Sequence, residues 1–375
     1  MGSPTQRPLL HQDPSAGRPP GSIRLRTSSV SHLRPLASIS PKLTVALAET
    51  FSDFQSDVVK VLSHALPCPS RAGHVFPTII DAIHRQTPNH STAWINVFHA
   101  VPGRFNLADL PTSPPTTPGP VVGGEEYFTS KVFDSAVAVS EYQGDSKLMP
   151  PSPRPVVPPA SVDVSIVERY IPPTNHHEFI EMFNIKGRSL LVDRVVELSP
   201  RQGTLLFIYP TRTGGRTFMR EYLGPILDPF LRSLAVVHNL SADFCRSLGD
   251  MVSVERLLEF DVLNAALERF CEQVGDSSYG KYKYSIVHSS KEEVILDRDV
   301  WAKDWWIKQE KQRIRTAVAK HSRPTQKASK PATDAEAAPS NLIQEILDSV
   351  ATKSYEHYGP KTGVEVGVFI IRKTA

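Results

Sequence analysis

The sequence predicts an α/β fold, a mainly parallel sheet with helices on both faces, interrupted by disordered proline-rich segments. Three observations lead there. From Ser161 onward, short β-rich runs alternate with helical stripes, the rhythm of strand–helix–strand units. Thr204-Leu-Leu-Phe-Ile-Tyr209 is apolar without alternation, as a strand buried on both faces must be. The 33 prolines in 375 residues, about 9% against a usual share of roughly 5%, are also clustered. Seven lie at or before Pro41 and eleven between Pro111 and Pro159, so extended segments break up a folded body.

Composition narrows the class. With 40% apolar and 22% charged residues, full disorder is excluded. Cys68, Cys245 and Cys271 are far apart and form no CxxC pair. That removes a disulfide framework, argues against a zinc ribbon or iron–sulfur cluster, and implies a reducing compartment. No run of eighteen apolar residues provides a spanning helix, and residues 1–30 lack the apolar core of a secretory signal. The net charge of +3 divides unevenly: +5 in residues 1–42, +7 in residues 301–330 and −9 elsewhere. Attraction to phosphate or anionic lipid would come from those two basic segments.

Residues 1–41 show no apolar period and read as a disordered basic tail. Their Arg- and Ser-rich, acid-poor composition also fits a mitochondrial transit peptide, but seven prolines break the amphipathic helix such a peptide needs. The expected location is intracellular, cytoplasmic or nuclear, with the mitochondrial address as the alternative. Leu43, Leu47, Phe51, Phe54, Val58, Val61 and Leu62 recur at helical spacing, predicting one long amphipathic helix ended by Pro67-Cys68-Pro69. Pro77 opens a short helix with Ile79, Ile80 and Ile83. Trp94 to Val101 reads as a buried strand closed by Pro102-Gly103. Residues 104–160 read as a proline-rich insertion or linker, with Tyr127 to Val139 as an apolar island docking one strand or helix.

An α/β domain then occupies 161–375. Val162 to Val167 is a short strand ending near Glu168-Arg169-Tyr170, and Asn175 with Glu178 starts a helix like a capping box. A helical run holds Leu190 to Val196, and Ser199-Pro-Arg-Gln-Gly203 is a turn before the strand Thr204–Tyr209. Helices follow at Asp228 to Val237 and Val254 to Val274, strands at Lys281 to His288 and Glu293 to Leu296. Asp299 can cap a helix from Val300 to His321; residues 322–339 form a flexible linker, then come a last helix and the strand Val364 to Ile371.

The block Val162-Asp-Val-Ser-Ile-Val-Glu-Arg-Tyr-Ile-Pro-Pro173, a helix pair, and Leu198-Ser-Pro-Arg-Gln-Gly-Thr-Leu-Leu-Phe-Ile-Tyr-Pro210 resemble the fourth strand, its covering helix and the fifth strand of class I S-adenosylmethionine-dependent methyltransferases. The resemblance implies a Rossmann-like sheet closed by an antiparallel hairpin, here around Tyr284–Val287 and Val364–Ile371, and S-adenosylmethionine as cofactor without a metal. It implies cofactor-binding roles at strand ends for Glu168, Tyr170, Tyr209 and Gly103. One departure stands out. The family's first strand runs into an acidic, glycine-rich loop, where a side chain would occupy the ligand's space. The candidate first strand, Trp94 to Val101, runs instead into Pro102-Gly103-Arg104-Phe105-Asn106, and the ribose-binding carboxylate has no clear equivalent beyond Asp134.

Other clusters admit plainer roles. Thr211-Arg212-Thr213-Gly214-Gly215-Arg216 could hold an anion at a helix start, but its spacing matches neither a dinucleotide nor a Walker loop, so glycines needed for geometry alone is the favoured reading. His176 and His177 are adjacent and point about 100° apart on a helix, so they do not chelate together. His238 and His288 end apolar segments, as boundary histidines do. Trp301, Trp305 and Trp306 with Lys308, Lys311, Arg313 and Arg315 could face nucleic acid or membrane, yet the continuous inward stripe makes them a core helix with solvated cations. Ser-Pro and Thr-Pro steps at Ser40, Ser113, Thr117 and Ser152 fall in expected disorder. The functional expectation is methyl transfer from S-adenosylmethionine to an unknown small-molecule or protein acceptor. The alternative is a non-catalytic scaffold or regulatory protein on a degenerate methyltransferase fold, meeting protein partners through its proline-rich arms. Nucleic acid is not expected as a partner.

Overall fold

The computed structural model describes residues 41–51, 58–86, 94–103, 105–111, 132–139, 150–277, 282–325, 339–355 and 359–374. Residues 1–40 of the basic tail lie outside them, as do 112–131, 140–149 and 326–338, so Ser40, Ser113 and Thr117 fall outside as well.

Seven strands form one sheet: β1 (Val58–Leu66), β2 (Trp94–Pro102), β3 (Val132–Val139), β4 (Val164–Arg169), β5 (Thr204–Pro210), β6 (Lys283–Val294) and β7 (Val364–Thr374). Their order is β3-β2-β1-β4-β5-β7-β6. Neighbours from β3 through β5 pair in parallel, and β7 runs antiparallel to both β5 and β6. The central strands are buried on both faces, and their alternate residues go to two different cores. Leu206 and Ile208 of β5 face one core; Leu205, Phe207 and Tyr209 face the other. The first core is covered by α1 (Pro41–Phe51), α2 (Phe76–Gln86), a helix from Arg212 to Val237 and the C-terminal helices; the second is covered by α3 (His176–Phe183), α4 (Leu190–Glu197) and α8 (Phe260–Asp276). The helix from Arg212 to Val237 comprises α5 (Arg212–Thr217), a π-helical turn at Phe218–Leu223 and α6 (Gly224–Val237), and α7 (Ala242–Gly249) follows it. A second π-helical stretch, Val300–Trp306, leads into α9 (Ile307–Thr325), and α10 spans Pro339–Thr352.

The predicted long helix from Leu43 to Leu62 is corrected. Helix α1 ends at Phe51, and Val58–Leu66 is a strand. Val58, Val59 and Val61 are β-branched, and burial on both faces erases the period of two that would have marked them. Trp94–Pro102 is therefore the second strand, not the first. Strand β6 is one edge strand, not two: its outward face is exposed, so Lys291, Glu292 and Glu293 reach solvent without breaking it. Asp299 makes no side-chain cap bond; the Asp297 carboxylate instead accepts from the Asp299 and Val300 amides. The turn before β5 holds as expected, with Gln202 at φ 62° and no room for a Cβ at Gly203, 2.6 Å from the Ser199 carbonyl oxygen.

The apolar island forms β3, at the sheet edge beside β2. Residues 150–160 are packed, unlike the unpacked connection expected there. Polyproline-like backbone has no internal hydrogen bonds, so its amides need external acceptors. Helix α4 supplies them: Arg154 N–H donates to Asp193 (2.6 Å) and Val156 N–H to Glu197 (2.6 Å). Ser152, expected in disorder, is buried and exchanges hydrogen bonds with the Ser189 backbone.

Candidate functional site

Chain connections turn opposite ways from β1 and β4: β1 passes through α2 to β2 on one side, and β4 passes through α3 and α4 to β5 on the other. Open α/β sheets bind ligands at such a switch point, outside the carboxyl ends of the strands. A cavity of about 570 Å³ lies there, lined by the ends of β1, β2 and β4, by the turn after β2, and by one face of α9.

At the end of β1, His64 is buried with Nδ1 3.2 Å from the Arg194 guanidinium. Burial, and secondly that guanidinium, hold its pKa well below the usual histidine value, so the ring is neutral. The chain leaves β1 through Pro67-Cys68-Pro69-Ser70-Arg71-Ala72-Gly73. Pro67 and Pro69 have no N–H to offer a ligand, and only Gly73 takes a positive φ, 86°. The Ser70 amide donates to His74 Nε2 at 2.8 Å, which places the His74 proton on Nδ1, 3.1 Å from Glu168 Oε1. Glu168 also accepts from the Tyr170 hydroxyl at 2.8 Å and from the Val75 amide at 3.0 Å, next to the N-terminus of α2. Trp305 stacks on Tyr170, ring centres 5.6 Å apart, and leans on His74 at 5.9 Å. Burial and then the Glu168 charge hold the Tyr170 hydroxyl well above the usual tyrosine range.

Strand alternation sends Arg169 to the opposite side from Glu168 and Tyr170, where it reaches the cavity. It is buried and fully engaged, with Nη1 3.1 Å from Glu178, Nε donating to the Ile171 carbonyl at 2.9 Å, and Nη2 bonded to Gln309 of α9. Glu178 starts α3, where Asn175 caps its amide at 3.1 Å as the capping pattern predicts. Burial raises the Glu178 pKa, with Arg169 opposing the shift.

Glu168 and Tyr170 thus form one buried cluster with His74. The Tyr209 ring is buried in the second core, between Phe179 and Phe207. Gly103 is exposed after β2, with open space where a Cβ would stand. None of these four is among the cavity-lining residues; Arg169, Pro102 and His64 are. Asp134, the sequence's candidate for a ribose carboxylate, sits in mid-strand on β3 and meets the buried His99 at 2.9 Å. Sequence reasoning missed Arg169 and His64, and treated Lys308, Lys311 and Arg315 as merely solvated. Their spacing of three and four does place them on one helix face, and that face borders the cavity.

The glycines at 214 and 215 serve geometry. Thr211 caps the Gly214 amide at 3.1 Å, and a Cβ on Gly214 would stand 1.9 Å from the Glu365 carbonyl oxygen. Arg212 donates to the Leu257 carbonyl, and Arg216 is held by Glu255. Trp301, Trp305 and Trp306 are all buried, as the inward stripe predicts. The His176 and His177 rings lie 4.0 Å apart and tilted by 36°, and among the described residues no group of three or more His, Cys, Asp or Glu is placed to hold a metal.

S-adenosylmethionine carries a sulfonium cation and a ribose diol, and this lining suits neither. No glycine precedes Gly73 in the loop after β1, and β2 ends in Val101-Pro102-Gly103 without a carboxylate. Among the described residues the lining carboxylates are Glu178, paired with Arg169, and Asp109, 4.0 Å from Arg71.

No protein-family profile matches the chain, and no curated protein matches it. Among solved structures, a coclaurine N-methyltransferase bound to N-methylheliamine and SAH aligns at 10% identity, covering 88% of this chain and 72% of that one. The TM-score is 0.26, too low for that likeness to carry weight on fold or chemistry. The strand order and the switch-point cavity stand on their own geometry.

Proposed function

We propose that this chain is a methyltransferase-like protein that keeps the ligand crevice of the fold but does not transfer methyl groups, acting as a ligand-binding scaffold or regulatory protein. One observation carries this reading. The side chains at the ends of β1 and β4 that line the crevice are engaged internally: His64 with Arg194, and Arg169 with Glu178, the Ile171 carbonyl and Gln309, while Glu168 turns away from the crevice to His74, Tyr170 and the Val75 amide. Protein partners would be met through the proline-rich stretch 111–120.

A second reading, S-adenosylmethionine-dependent methyl transfer to a small-molecule acceptor, draws support from the cavity of about 570 Å³ at the strand ends. Ligand pockets commonly measure about 300–1,000 Å³. That reading requires Glu168 and Tyr170 to give up their internal partners and turn toward a cavity that neither they nor Tyr209 and Gly103 line. Calorimetric titration of the full chain with S-adenosylmethionine and with S-adenosylhomocysteine separates the two. The scaffold reading expects no binding of either at millimolar ligand; micromolar binding of either installs the enzyme reading.

A further inference from the structure

The charge around the cavity points away from a sulfonium cofactor. Four cationic side chains border it, Arg169, Lys308, Lys311 and Arg315, against the carboxylates of Glu178 and Asp109. Glu178 is neutralised by Arg169 at 3.1 Å, so the floor is a closed ion pair. Asp109 lies 4.0 Å from Arg71, and Lys308 sits near enough to Asp304 for its charge to act on that carboxylate, with no ion pair between them among the described residues. Lys311 and Arg315, one turn apart on α9, have no carboxylate partner among the described residues. The other cation on this stretch, Arg313, turns away: it holds Glu310 and the Ser247 and Leu248 carbonyls at the end of α7. The excess positive charge is therefore concentrated at the cavity mouth.

An aromatic face accompanies it. Phe105, in the turn after β2, lines the cavity with its ring centre 6.0 Å from Lys308 Nζ. A flat ring beside unpaired cations suits a ligand with a planar base at one end and phosphates at the other. The volume of about 570 Å³ admits a ligand of nucleotide size.

We propose that the switch-point cavity binds a nucleoside polyphosphate, its phosphates held by Lys311 and Arg315 with Lys308, and its base against Phe105. This deepens the non-catalytic reading and rests on it, because it gives the crevice an anionic ligand in place of S-adenosylmethionine.

The test titrates the full chain with metal-free ATP, adenosine and inorganic tripolyphosphate, at low and at physiological salt, alongside S-adenosylmethionine. ATP should bind, weaken as salt rises, and bind at least about tenfold more tightly than adenosine or tripolyphosphate. Lys311→Glu with Arg315→Glu should weaken ATP at least about tenfold, as expected for lost charge-assisted contacts. Phe105→Ala should weaken ATP but leave tripolyphosphate unchanged. Lys320→Glu, on the same helix but away from the cavity, should change nothing, and melting curves confirm that each variant is folded. Absent ATP binding, adenosine binding as well as ATP, tripolyphosphate binding as well as ATP, or indifference to the double charge reversal each overturns the proposal. Binding of S-adenosylmethionine together with absent ATP binding refutes both readings. Absence of both ligands refutes only the nucleotide.

Discussion

Replacing Gly214 by alanine sets two effects of opposite sign against each other. Gly214 lies inside α5, where alanine is worth about 1 kcal/mol more than glycine in helix propensity. The added Cβ, however, would stand 1.9 Å from the Glu365 carbonyl oxygen, 2.8 Å from its carbonyl carbon and 2.9 Å from its nitrogen. All three are backbone atoms of β7, which is fixed between β5 and β6 and cannot swing aside as a side chain could. An acceptable contact needs roughly 3.5 Å, so α5 and β7 must separate by about 1.5 Å. That movement breaks two bonds joining them: Thr211 N–H to the Glu365 carbonyl (3.2 Å) and the Thr211 hydroxyl to the Glu365 carboxylate (2.7 Å). Each is worth about 1 kcal/mol, and forced overpacking costs a further 1–3 kcal/mol or so. The clash wins, and Gly214→Ala should destabilise by about 2–4 kcal/mol in urea unfolding followed by circular dichroism. Gly215→Ala is the control, since its Cβ meets side-chain carbons of Leu257 and Val254 at 3.0 and 3.1 Å, which can yield. It should cost less than about 1.5 kcal/mol. Wild-type or greater stability in Gly214→Ala would refute the steric account and reopen a ligand role for this loop.

Trp305→Ala should cost about 3–5 kcal/mol, because the buried ring supports both Tyr170 and His74, whereas Lys308→Gln with Lys311→Gln should stay within about 0.5 kcal/mol; a melting curve unmoved by the tryptophan change denies it a core role. Burial pushes the Cys68 thiol up to about 11 and the Cys271 thiol up to about 12, from 9.0. Between pH 9 and 11 the unfolded chain sheds the Cys68 proton while the fold keeps it, so this group's contribution to stability falls as pH rises, by up to about 2–3 kcal/mol. Native protein at pH 8 should accordingly react slowly with a disulfide reagent at Cys68 and Cys271 and show all three thiols in denaturant; rapid native reaction of all three would contradict this burial.

Elements whose signals are short-range were legible along the chain. Capping chemistry marked α3 at Asn175, glycine and proline marked the turn at Ser199–Gly203, and the unbroken apolar run marked β5. The inward tryptophan stripe was likewise legible, because helical spacing alone separates buried from exposed positions on the segment from Val300. Tertiary structure decided the rest. Val58–Leu66 is a strand because β2 and β4 flank it and bury both its faces, a fact carried by residues more than thirty positions away, so its apolar spacing fits a helix equally well. The packing of residues 150–160 depends on Asp193 and Glu197 presenting carboxylates to their amides, a pairing no local pattern encodes. The candidate site shows the same division. Glu168 and Tyr170 were legible as a strand end, but only the fold turns them inward to His74 and sends Arg169 to the cavity. Lys311 and Arg315 look like an ordinary solvated helix face until the sheet brings α9 against the ends of β1 and β4. Burial and long-range pairing are properties of the assembled chain, and they set what each of these side chains can bind.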